Sequence, residues 1–328
     1  MGPPRVEIVA VDNEAAFWDD QSAVLSSLRE TPPRIPAYFG YDALGSELFE
    51  EITELPGYYL TRVEYALLQR HSEHIAELLG YGRIVELGSG SAKKTRVLLA
   101  ACVARRDTTY LPIDVGHEML VASGRELTAE LTSLRVQGLW GRYQAGLAWL
   151  RDGEPEPMVV AFLGSNLGNT TPEERNALLS EITRTLRPGD RFLVSVDLQK
   201  PAAVFDACYN DPPDQSAFTR FRLNHLTHLN RRFGGDFIPE YFYPRAHYDT
   251  ATTTVQEHLY ATEDQSVVLG ELDFEQKLRR NDSLNVGFSY KFHRPQFVAN
   301  VVALGFDLHA QWIDGVWQYG IFLFVRSN

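Results

Sequence analysis

Residues 84 to 95 read Ile84-Val85-Glu86-Leu87-Gly88-Ser89-Gly90-Ser91-Ala92-Lys93-Lys94-Thr95. This stretch predicts a buried strand, a glycine-containing turn and the start of a helix. Glycines at 88 and 90 allow backbone N–H groups to approach a ligand at the helix N-terminus, where the helix dipole favours a carboxylate or a phosphate. A dinucleotide-binding fingerprint requires a third glycine where this chain has Lys93, which counts against a dehydrogenase. A tight turn without a ligand is the alternative interpretation.

Short apolar runs alternate with helical patterns around this turn. The runs are Arg83–Leu87, Thr109–Ile113, Leu134–Leu139, Met158–Leu163 and Arg191–Val196. Such alternation is typical of a parallel sheet built from βα units. Two later runs flank Asp314-Gly315, which is a hairpin turn signal. We therefore predict an α/β fold of the class I, Rossmann-like methyltransferase type, with a seven-stranded sheet that ends in an antiparallel hairpin.

One connecting helix has a clearly marked start. Thr171-Pro172-Glu173-Glu174 places a capping hydroxyl before a proline and an acidic residue at the third helical position. We expect this helix to run to Leu186, before Pro188-Gly189 turns the chain into the next strand.

The alternation of strand and helix patterns stops after Asp197. Residues 200–290 contain Asp/Pro turns and alternating runs, which predict an inserted lobe with antiparallel strands. We assign residues 1–62 to an N-terminal lid that forms part of the substrate lobe, and 63–199 to the cofactor-binding domain. The inserted substrate-binding lobe covers 200–290, and 291–328 return to the Rossmann-like domain.

The composition limits the partners of the chain. Its 328 residues include 31 Lys+Arg and 43 Asp+Glu, which gives a formal net charge of −12. An acidic surface repels phosphate backbones and anionic lipids, so we expect neither a nucleic-acid nor a membrane partner. Cys102 and Cys208 lack metal-ligand spacing, and we find neither a signal peptide nor a long apolar run. We therefore expect no metal site and a cytoplasmic location.

A second acidic position supports a ligand at the glycine turn. Asp114 follows the apolar run Tyr110–Ile113, and a carboxylate there can accept hydrogen bonds from both hydroxyls of a ribose. Because the carboxyl ends of parallel strands meet at one edge of the sheet, Asp114 and the turn after the first strand are expected to be neighbours. Together they predict an adenosine-containing cofactor.

Two further polar or aromatic segments have competing interpretations. The run Phe162-Leu163-Gly164-Ser165-Asn166-Leu167-Gly168-Asn169 is either a polar loop with Asn169 as a helix cap or a site for an amino acid moiety. Tyr38, Tyr41, Tyr58 and Tyr59 flank a short predicted helix, Ser46–Glu54. They either pack an N-terminal cap on the core or form a lid that holds a cationic nitrogen.

Several sequence blocks together carry a family resemblance. They are Tyr41-Asp42-Ala43-Leu44-Gly45-Ser46-x-Leu48-Phe49, Leu55-Pro56-Gly57-Tyr58-Tyr59-Leu60-Thr61-Arg62-x-Glu64, Glu86-Leu87-Gly88-Ser89-Gly90, Phe162-Leu163-Gly164-Ser165-x-x-Gly168-Asn169 and Ser289-Tyr290-Lys291-Phe292. With these blocks in this order, the chain resembles the histidine Nα-methyltransferases of ergothioneine biosynthesis. It also resembles their fungal relatives, which include the dimethylallyltryptophan N-methyltransferase of ergot alkaloid pathways.

The resemblance implies S-adenosylmethionine (SAM) as cofactor and assigns roles to individual residues. The implied cofactor-binding residues are Gly88, Ser89, Gly90, Lys94, Asp114 and Tyr143. The implied substrate-binding residues are Gly164, Asn166, Asn169, Tyr209, Glu257, Gly287 and Ser289, with Asn169 and Tyr209 on the substrate carboxylate. Tyr41 and Tyr58 are the implied catalytic residues, with Tyr41 and the backbone near Gly164 on the amino group.

Three departures from the family pattern bear on the substrate. The sequence Gly141-Arg142-Tyr143 replaces an acidic residue near the adenine, so Arg142 is not assigned to adenine. Gly287 stands where the histidine enzymes present a glutamate to the imidazole, and Glu257 stands where they tend to have methionine. A carboxylate restored at position 287 is expected to favour histidine, unless Glu257 already reaches the ring from the opposite strand.

The sequence thus predicts transfer of a methyl group from SAM to the α-amino nitrogen of a free amino acid. Loss of the carboxylate at position 287 favours an aromatic substrate, tryptophan or a derivative, with histidine second. A non-catalytic SAM-binding regulator is the alternative from another functional class.

Overall fold

The structure is a computed structural model that describes residues 5–13 and 21–327. The chain forms two compact units. Unit 1 consists of Met1–Asn13, Leu60–Gln199 and Lys291–Asn328, and unit 2 consists of Glu14–Tyr59 and Lys200–Tyr290.

The strands, in chain order, are β1 (Val6–Ala10), β2 (Arg83–Leu87), β3 (Thr108–Asp114), β4 (Leu134–Trp140), β5 (Val159–Phe162), β6 (Arg191–Asp197), β7 (Phe242–Asp249), β8 (Thr254–Ala261), β9 (Gln265–Leu269), β10 (Phe274–Leu278), β11 (Ser283–Tyr290), β12 (Phe306–Asp314) and β13 (Tyr319–Arg326). The α-helices are α1 (Gln21–Leu28), α2 (Ala43–Glu54), α3 (Tyr59–Leu79), α4 (Thr95–Val103), α5 (His117–Glu130), α6 (Tyr143–Asp152), α7 (Pro172–Thr185), α8 (Ala202–Cys208), α9 (Ala217–Phe233) and α10 (Arg294–Ala303). Short 3-10 helices lie at Ala37–Gly40, Asn166–Gly168, Pro239–Tyr241 and Gly270–Leu272. Within residues 5–13 and 21–327, no helix has the length and apolar character needed to cross a bilayer.

Unit 1 is built on one sheet with the order β1-β4-β3-β2-β5-β6-β13-β12. Strands β1 to β6 pair with one another in parallel. Strand β13 is antiparallel to β6, and β12 is antiparallel to β13. This topology confirms the predicted α/β, Rossmann-like fold with a terminal antiparallel hairpin. Because β2 lies between β3 and β5, the segments that follow these three strands meet at the carboxyl edge of the sheet.

The sheet has eight strands where the sequence predicts seven. The additional strand, β1, pairs in parallel with β4 at the edge of the sheet. None of its residues is fully buried, so it lacks the continuous apolar run by which the buried parallel strands are recognised. Residues 6–10 lie in the range assigned from sequence to the lid, and they join the sheet of unit 1.

The terminal hairpin has a longer turn than the Asp-Gly signal alone implies. Asp314 pairs with Tyr319, so residues 315–318 form the turn. The Asp314 carboxylate accepts hydrogen bonds from the backbone N–H groups of Val316, at 2.9 Å, and Trp317, at 2.7 Å. The aspartate therefore organises the turn through its side chain, as Asx turns do.

Helix α7 has the predicted capping box. The Thr171 hydroxyl accepts a hydrogen bond from the Glu174 backbone N–H at 3.2 Å, and the Glu174 carboxylate accepts one from the Thr171 N–H at 2.9 Å. Two N–H groups that the helix cannot pair internally are thereby satisfied. The helix ends at Thr185, one residue before the predicted Leu186.

Unit 2 contains the antiparallel sheets β11-β8-β7 and β10-β9. Its apolar core joins helices α1 and α9 to the three-stranded sheet through Leu28, Leu229, Leu259 and Leu284. Strand β11 has a register shift between Asn285 and Gly287 against β8. A bulge of this kind re-aims neighbouring side chains, and here it lies at the glycine that departs from the family pattern.

We predict that Thr171→Ala lowers the free energy of unfolding by about 1 kcal/mol, because the helix loses its capping acceptor. Chemical denaturation measures this change. Thr171→Ser keeps the hydroxyl and serves as the matched control, with stability close to that of the wild type. Equal loss in both variants would show that the threonine methyl group, not the cap, stabilises α7.

Candidate active site

The turn after β2 has the backbone that its glycines predict. Gly88 and Gly90 adopt φ values of +71° and +49°, in the left-handed region that favours glycine. A Cβ at Gly88 would lie 2.5 Å from the hydroxyl oxygen of Tyr143. Ser89, between the glycines, is buried. The turn therefore leaves no room for side chains at position 88, and Tyr143 closes over it.

Asp114 reaches this turn from the end of β3. Its carboxylate accepts hydrogen bonds from the backbone N–H of Gly90 at 3.0 Å and from that of Gly116 at 2.9 Å. Burial raises the pKa of the Asp114 carboxyl, although the N–H donors act in the opposite direction. The structure thus brings together the two elements that the sheet-edge argument predicts to be neighbours.

Arg142 is engaged elsewhere in unit 1. Its guanidinium Nε lies 2.6 Å from the Asp12 carboxylate. The same carboxylate also accepts a hydrogen bond from the Arg142 backbone N–H at 3.4 Å. The Arg142 guanidinium is therefore paired with Asp12, and its exclusion from the adenine-binding residues stays a prediction.

Lys94 points to a carboxylate that sequence reasoning did not single out. Its ammonium forms an ion pair with the fully buried Glu64 of α3. Glu64 also accepts hydrogen bonds from the Gly164 N–H at 2.7 Å, the Tyr319 hydroxyl at 3.0 Å and the Ser195 hydroxyl. Burial by itself raises the pKa of Glu64, but the Lys94 charge and these donors hold that pKa below its usual range. Glu64 therefore remains ionised.

A second buried carboxylate, Glu86, lies within β2. It accepts hydrogen bonds from the Thr95 hydroxyl at 2.7 Å and from the Tyr110 hydroxyl. Burial raises the pKa of Glu86 to about 7, because these neutral donors and the more distant Lys94 do not offset the loss of hydration. The two neighbouring glutamates thus have pKa values shifted in opposite directions.

The loop after β5 contains the predicted substrate residues of unit 1. Gly164 and Ser165 both have positive φ values, of 82° and 57°. The Asn166 amide nitrogen lies 3.1 Å from the position that a Cβ at Gly164 would occupy, and the Asn169 amide donates to the Asn166 side chain at 3.4 Å. Helix α7 is capped by Thr171, so Asn169 is not its N-cap. The helix-cap interpretation of Asn169 is therefore wrong for α7.

The predicted tyrosines lie in unit 2, within an aromatic cluster. The Tyr41 ring packs against Phe221 at 5.2 Å between centroids, and the Tyr58 ring packs against Tyr209 at 6.1 Å. The Tyr209 and Ser289 hydroxyls are 2.8 Å apart and share a hydrogen bond. Burial raises the pKa of both Tyr41 and Tyr58, further aided by the Glu257 charge. Both phenols therefore stay protonated at neutral pH.

Glu257 faces Gly287 across paired strands in unit 2. A Cβ at Gly287 would lie 3.4 Å from the Glu257 Oε1 atom. The other carboxylate oxygen accepts a hydrogen bond from Arg222 Nε at 2.6 Å. Arg222, a buried residue that the sequence analysis missed, also donates from Nη2 to the Tyr209 carbonyl at 2.5 Å.

The site residues therefore form two groups. Unit 1 holds the cofactor set with three of the substrate residues, Gly164, Asn166 and Asn169. Unit 2 holds Tyr41, Tyr58, Tyr209, Glu257, Gly287 and Ser289. The missed residues Glu64 and Arg222 bind predicted site residues directly. Glu64 is the last residue of one of the sequence blocks that carry the family resemblance, whereas no sequence signal marked Arg222. In the described part of the chain, no group of His, Cys, Asp and Glu side chains is arranged to hold a metal ion.

Comparison with known proteins identifies the family to which the chain is similar. The family model described as histidine-specific methyltransferase, SAM-dependent, matches residues 20–326. The chain is 34% identical over 302 residues to a histidine N-alpha-methyltransferase of Mycobacterium tuberculosis, covering 92% of each protein. It is 32% identical to the enzyme of the same name from Mycolicibacterium smegmatis, covering 92% of this chain and 94% of that one. It is also 26% identical to the N-methyltransferase dtpB of Aspergillus flavus, covering 94% and 89% of the two chains.

We predict that Asp114→Ala weakens SAM binding by about tenfold or more, since a hydrogen bond to a charged group contributes roughly 1.5–3 kcal/mol. Calorimetric titration with SAM measures the dissociation constant. Asp107→Ala, at the opposite end of β3, is the control and should bind SAM as the wild type does. Unchanged affinity in Asp114→Ala would remove Asp114 from the cofactor site.

We also predict that Glu86 makes stability fall as pH rises. The native state keeps a proton on Glu86 up to a pH of about 7, whereas the unfolded chain releases it near the ordinary glutamate pKa of 4.5. The stabilisation that Glu86 contributes is therefore complete below pH 4.5 and is lost as the pH rises from there to about 7. Glu86→Gln removes the titration, so its stability relative to the wild type should increase over this pH range. Denaturation without SAM measures the stability of both proteins as a function of pH. Parallel curves for the wild type and Glu86→Gln would contradict the raised pKa of Glu86.

Proposed function

The chain belongs to the histidine-specific, SAM-dependent methyltransferase family, and from this membership we propose that it methylates the α-amino nitrogen of a free amino acid. We propose further that the side chain of this amino acid carries a ring N–H group. Histidine is our first candidate, and tryptophan or a derivative is the second.

The observation that carries the substrate proposal is the position of Glu257 opposite Gly287. Family resemblance assigns the residue at 287 to the imidazole, and there this chain has no side chain. The Glu257 carboxylate lies directly over the position that a Cβ at 287 would take, at 3.4 Å from Oε1. A carboxylate is therefore present beside position 287, although it comes from β8 and not from β11.

Arg222 favours a single orientation of this carboxylate. Its Nε bonds to Oε2, which leaves Oε1 on the side of Gly287. The ion pair is largely buried, with side-chain exposures of 2% for Arg222 and 15% for Glu257. A side chain without a polar hydrogen would bury Oε1 without a donor, which is costly, whereas a ring N–H would satisfy it. The Glu257 carboxylate therefore favours histidine or an indole over a purely hydrocarbon side chain. Histidine becomes the first candidate substrate, whereas Gly287 alone places tryptophan or a derivative first.

The residues of unit 1 suit the cofactor. SAM, when bound, supplies a methyl group on a positively charged sulfur that is already activated for transfer. The left-handed turn at Gly88 and Gly90 permits close backbone approach, and Asp114 provides a carboxylate for ribose hydroxyls. Lys94 provides a positive charge for the methionine carboxylate. No covalent nucleophile is required of the protein, whose task is to orient the amine.

The phenols of Tyr41 and Tyr58 are proposed to contact that amine. Because their raised pKa values keep them neutral, they act as hydrogen-bonding groups and not as phenolate bases. Burial among these rings favours loss of the ammonium proton to water before transfer, and the ring faces then stabilise the positive charge of the methylammonium that transfer creates. The family resemblance assigns Asn169 and Tyr209 to the substrate carboxylate, and we propose that role for each of them.

The test is a carboxylate swap between positions 257 and 287, assayed in competition between histidine and tryptophan. We expect the wild type to prefer histidine, and Glu257→Met to lose about tenfold to a hundredfold in kcat/KM for histidine with normal SAM affinity. Gly287→Glu alone should also lose activity, because two carboxylates would meet at contact distance. The double variant Glu257→Met/Gly287→Glu should recover histidine turnover.

Two results would contradict the proposal in different ways. A wild-type preference for tryptophan would restore the order that Gly287 alone suggests. If no amino acid were methylated while SAM bound normally, the α-amino methylation itself would be refuted, and a SAM-binding regulator would take its place.

A further inference from the structure

The loop after β5 has a backbone that requires external support. Gly164 and Ser165 are consecutive residues in the left-handed region, and Ser165 has a side chain that disfavours it. Such a residue is strained and persists only where its surroundings fix it. The resemblance assigns the backbone near Gly164 to the substrate amine, so the orientation of these peptide groups bears on the reaction.

Glu64 and Ser195 fix both peptide groups of this turn. The Gly164 N–H donates to Glu64 at 2.7 Å, and the Ser165 N–H donates to the Ser195 hydroxyl at 3.2 Å. Ser195 in turn donates to the same Glu64 oxygen. The Ser165 hydroxyl accepts a hydrogen bond from the Asp197 N–H at 2.9 Å, which secures the turn from the end of β6.

These two hydrogen bonds determine where the adjoining carbonyl groups point. In a trans peptide the N–H and C=O of one peptide unit point in opposite directions. With the Gly164 and Ser165 N–H groups directed at Glu64 and Ser195, the Leu163 and Gly164 carbonyl oxygens are turned away from them. The turn therefore presents acceptors, not donors, on its side opposite Glu64, and acceptors are what an amine or a methylammonium requires.

We propose that Glu64 is a positioning residue for methyl transfer. Glu64 acts through Ser195 and the Gly164 peptide, and it thereby directs a backbone carbonyl acceptor toward the substrate amine. This role rests on the proposed function, and it adds a residue with no direct substrate contact. Lys94, paired with the same carboxylate, balances its charge within the buried environment. The Tyr319 hydroxyl lies 3.0 Å from the Glu64 Oε1 atom and 3.1 Å from the Ser195 hydroxyl, so it supports both acceptors without a hydrogen bond to the turn itself.

This arrangement predicts a graded series of effects on kcat. Glu64→Gln replaces the charged acceptor of the Gly164 N–H by a weaker neutral one, and Ser195→Ala removes the acceptor of the Ser165 N–H. Each should lower kcat by about tenfold or more, since small displacements of reacting groups are costly. Tyr319→Phe should lower it by less than about threefold, because the turn keeps both of its acceptors. The KM for the amino acid should change by less than about threefold in all three variants, since other groups carry substrate binding.

The control is Asp190→Asn. Asp190 is likewise a buried carboxylate that accepts backbone N–H groups, from Met158 at 2.9 Å and Arg187 at 2.8 Å. It lies at the amino ends of β5 and β6, at the opposite edge of the sheet. Asp190→Asn should reduce stability without changing kcat per active site.

The assay measures kcat with histidine and tryptophan, divided by the number of SAM-binding sites found by calorimetry, so that unfolded protein does not count. Normal kcat in folded Glu64→Gln, or a loss equal to that in Asp190→Asn, would overturn the role of Glu64. If Glu64→Gln fails to fold, Ser195→Ala decides the matter by the same criterion. Absence of methylation by the wild type would refute the proposed function instead, which keeps the two failures distinct.

Discussion

The ionised carboxylate of Glu64 has no exposure to solvent, and an ion in that position must be both neutralised and hydrogen-bonded. Its partners come from separate parts of the chain, namely the turn after β2, the loop after β5, strand β6 and strand β13. The same requirement therefore ties the cofactor turn, the substrate loop and the terminal hairpin of unit 1 into one arrangement. If the sheet order were different, these donors would not converge and the charge would be too costly to bury.

Unit 2 meets a comparable constraint with Arg222 and Glu257. The guanidinium bonds the carboxylate, donates to the Tyr209 carbonyl and lies over the Phe218 ring at 4.7 Å. One buried cation thus fixes Glu257 and the backbone that carries the Tyr209 hydroxyl. A Cβ at Gly287 would lie in van der Waals contact with Glu257, so a long side chain there would compete with this pair for space. Gly287 alone favours an aromatic substrate, whereas Glu257 calls for a partner such as an indole N–H, an imidazole or a cation.

The sequence predicted those features that depend on local chemistry or on the general rule for parallel sheets. The left-handed turn at Gly88 and Gly90, the approach of Asp114 and the Thr171 capping box all belong to this class. The edge strand β1 was missed because an exposed strand has no continuous apolar run. Glu64 and Arg222 were not identified because their roles depend on partners such as Ser195 and Glu257, 131 and 35 residues away along the chain. No periodicity or spacing rule carries such information.

Methyl transfer from SAM to an α-amino nitrogen is the reaction that we propose for this chain. Its most direct test is to incubate the enzyme with SAM that carries a deuterated methyl group and with histidine or tryptophan, and to locate the label by NMR and mass fragmentation. We expect deuterated methyl groups on the α-nitrogen and an unlabelled side-chain ring. A label on a ring nitrogen, or unmodified histidine and tryptophan after SAM has been shown to bind, would contradict α-amino methylation.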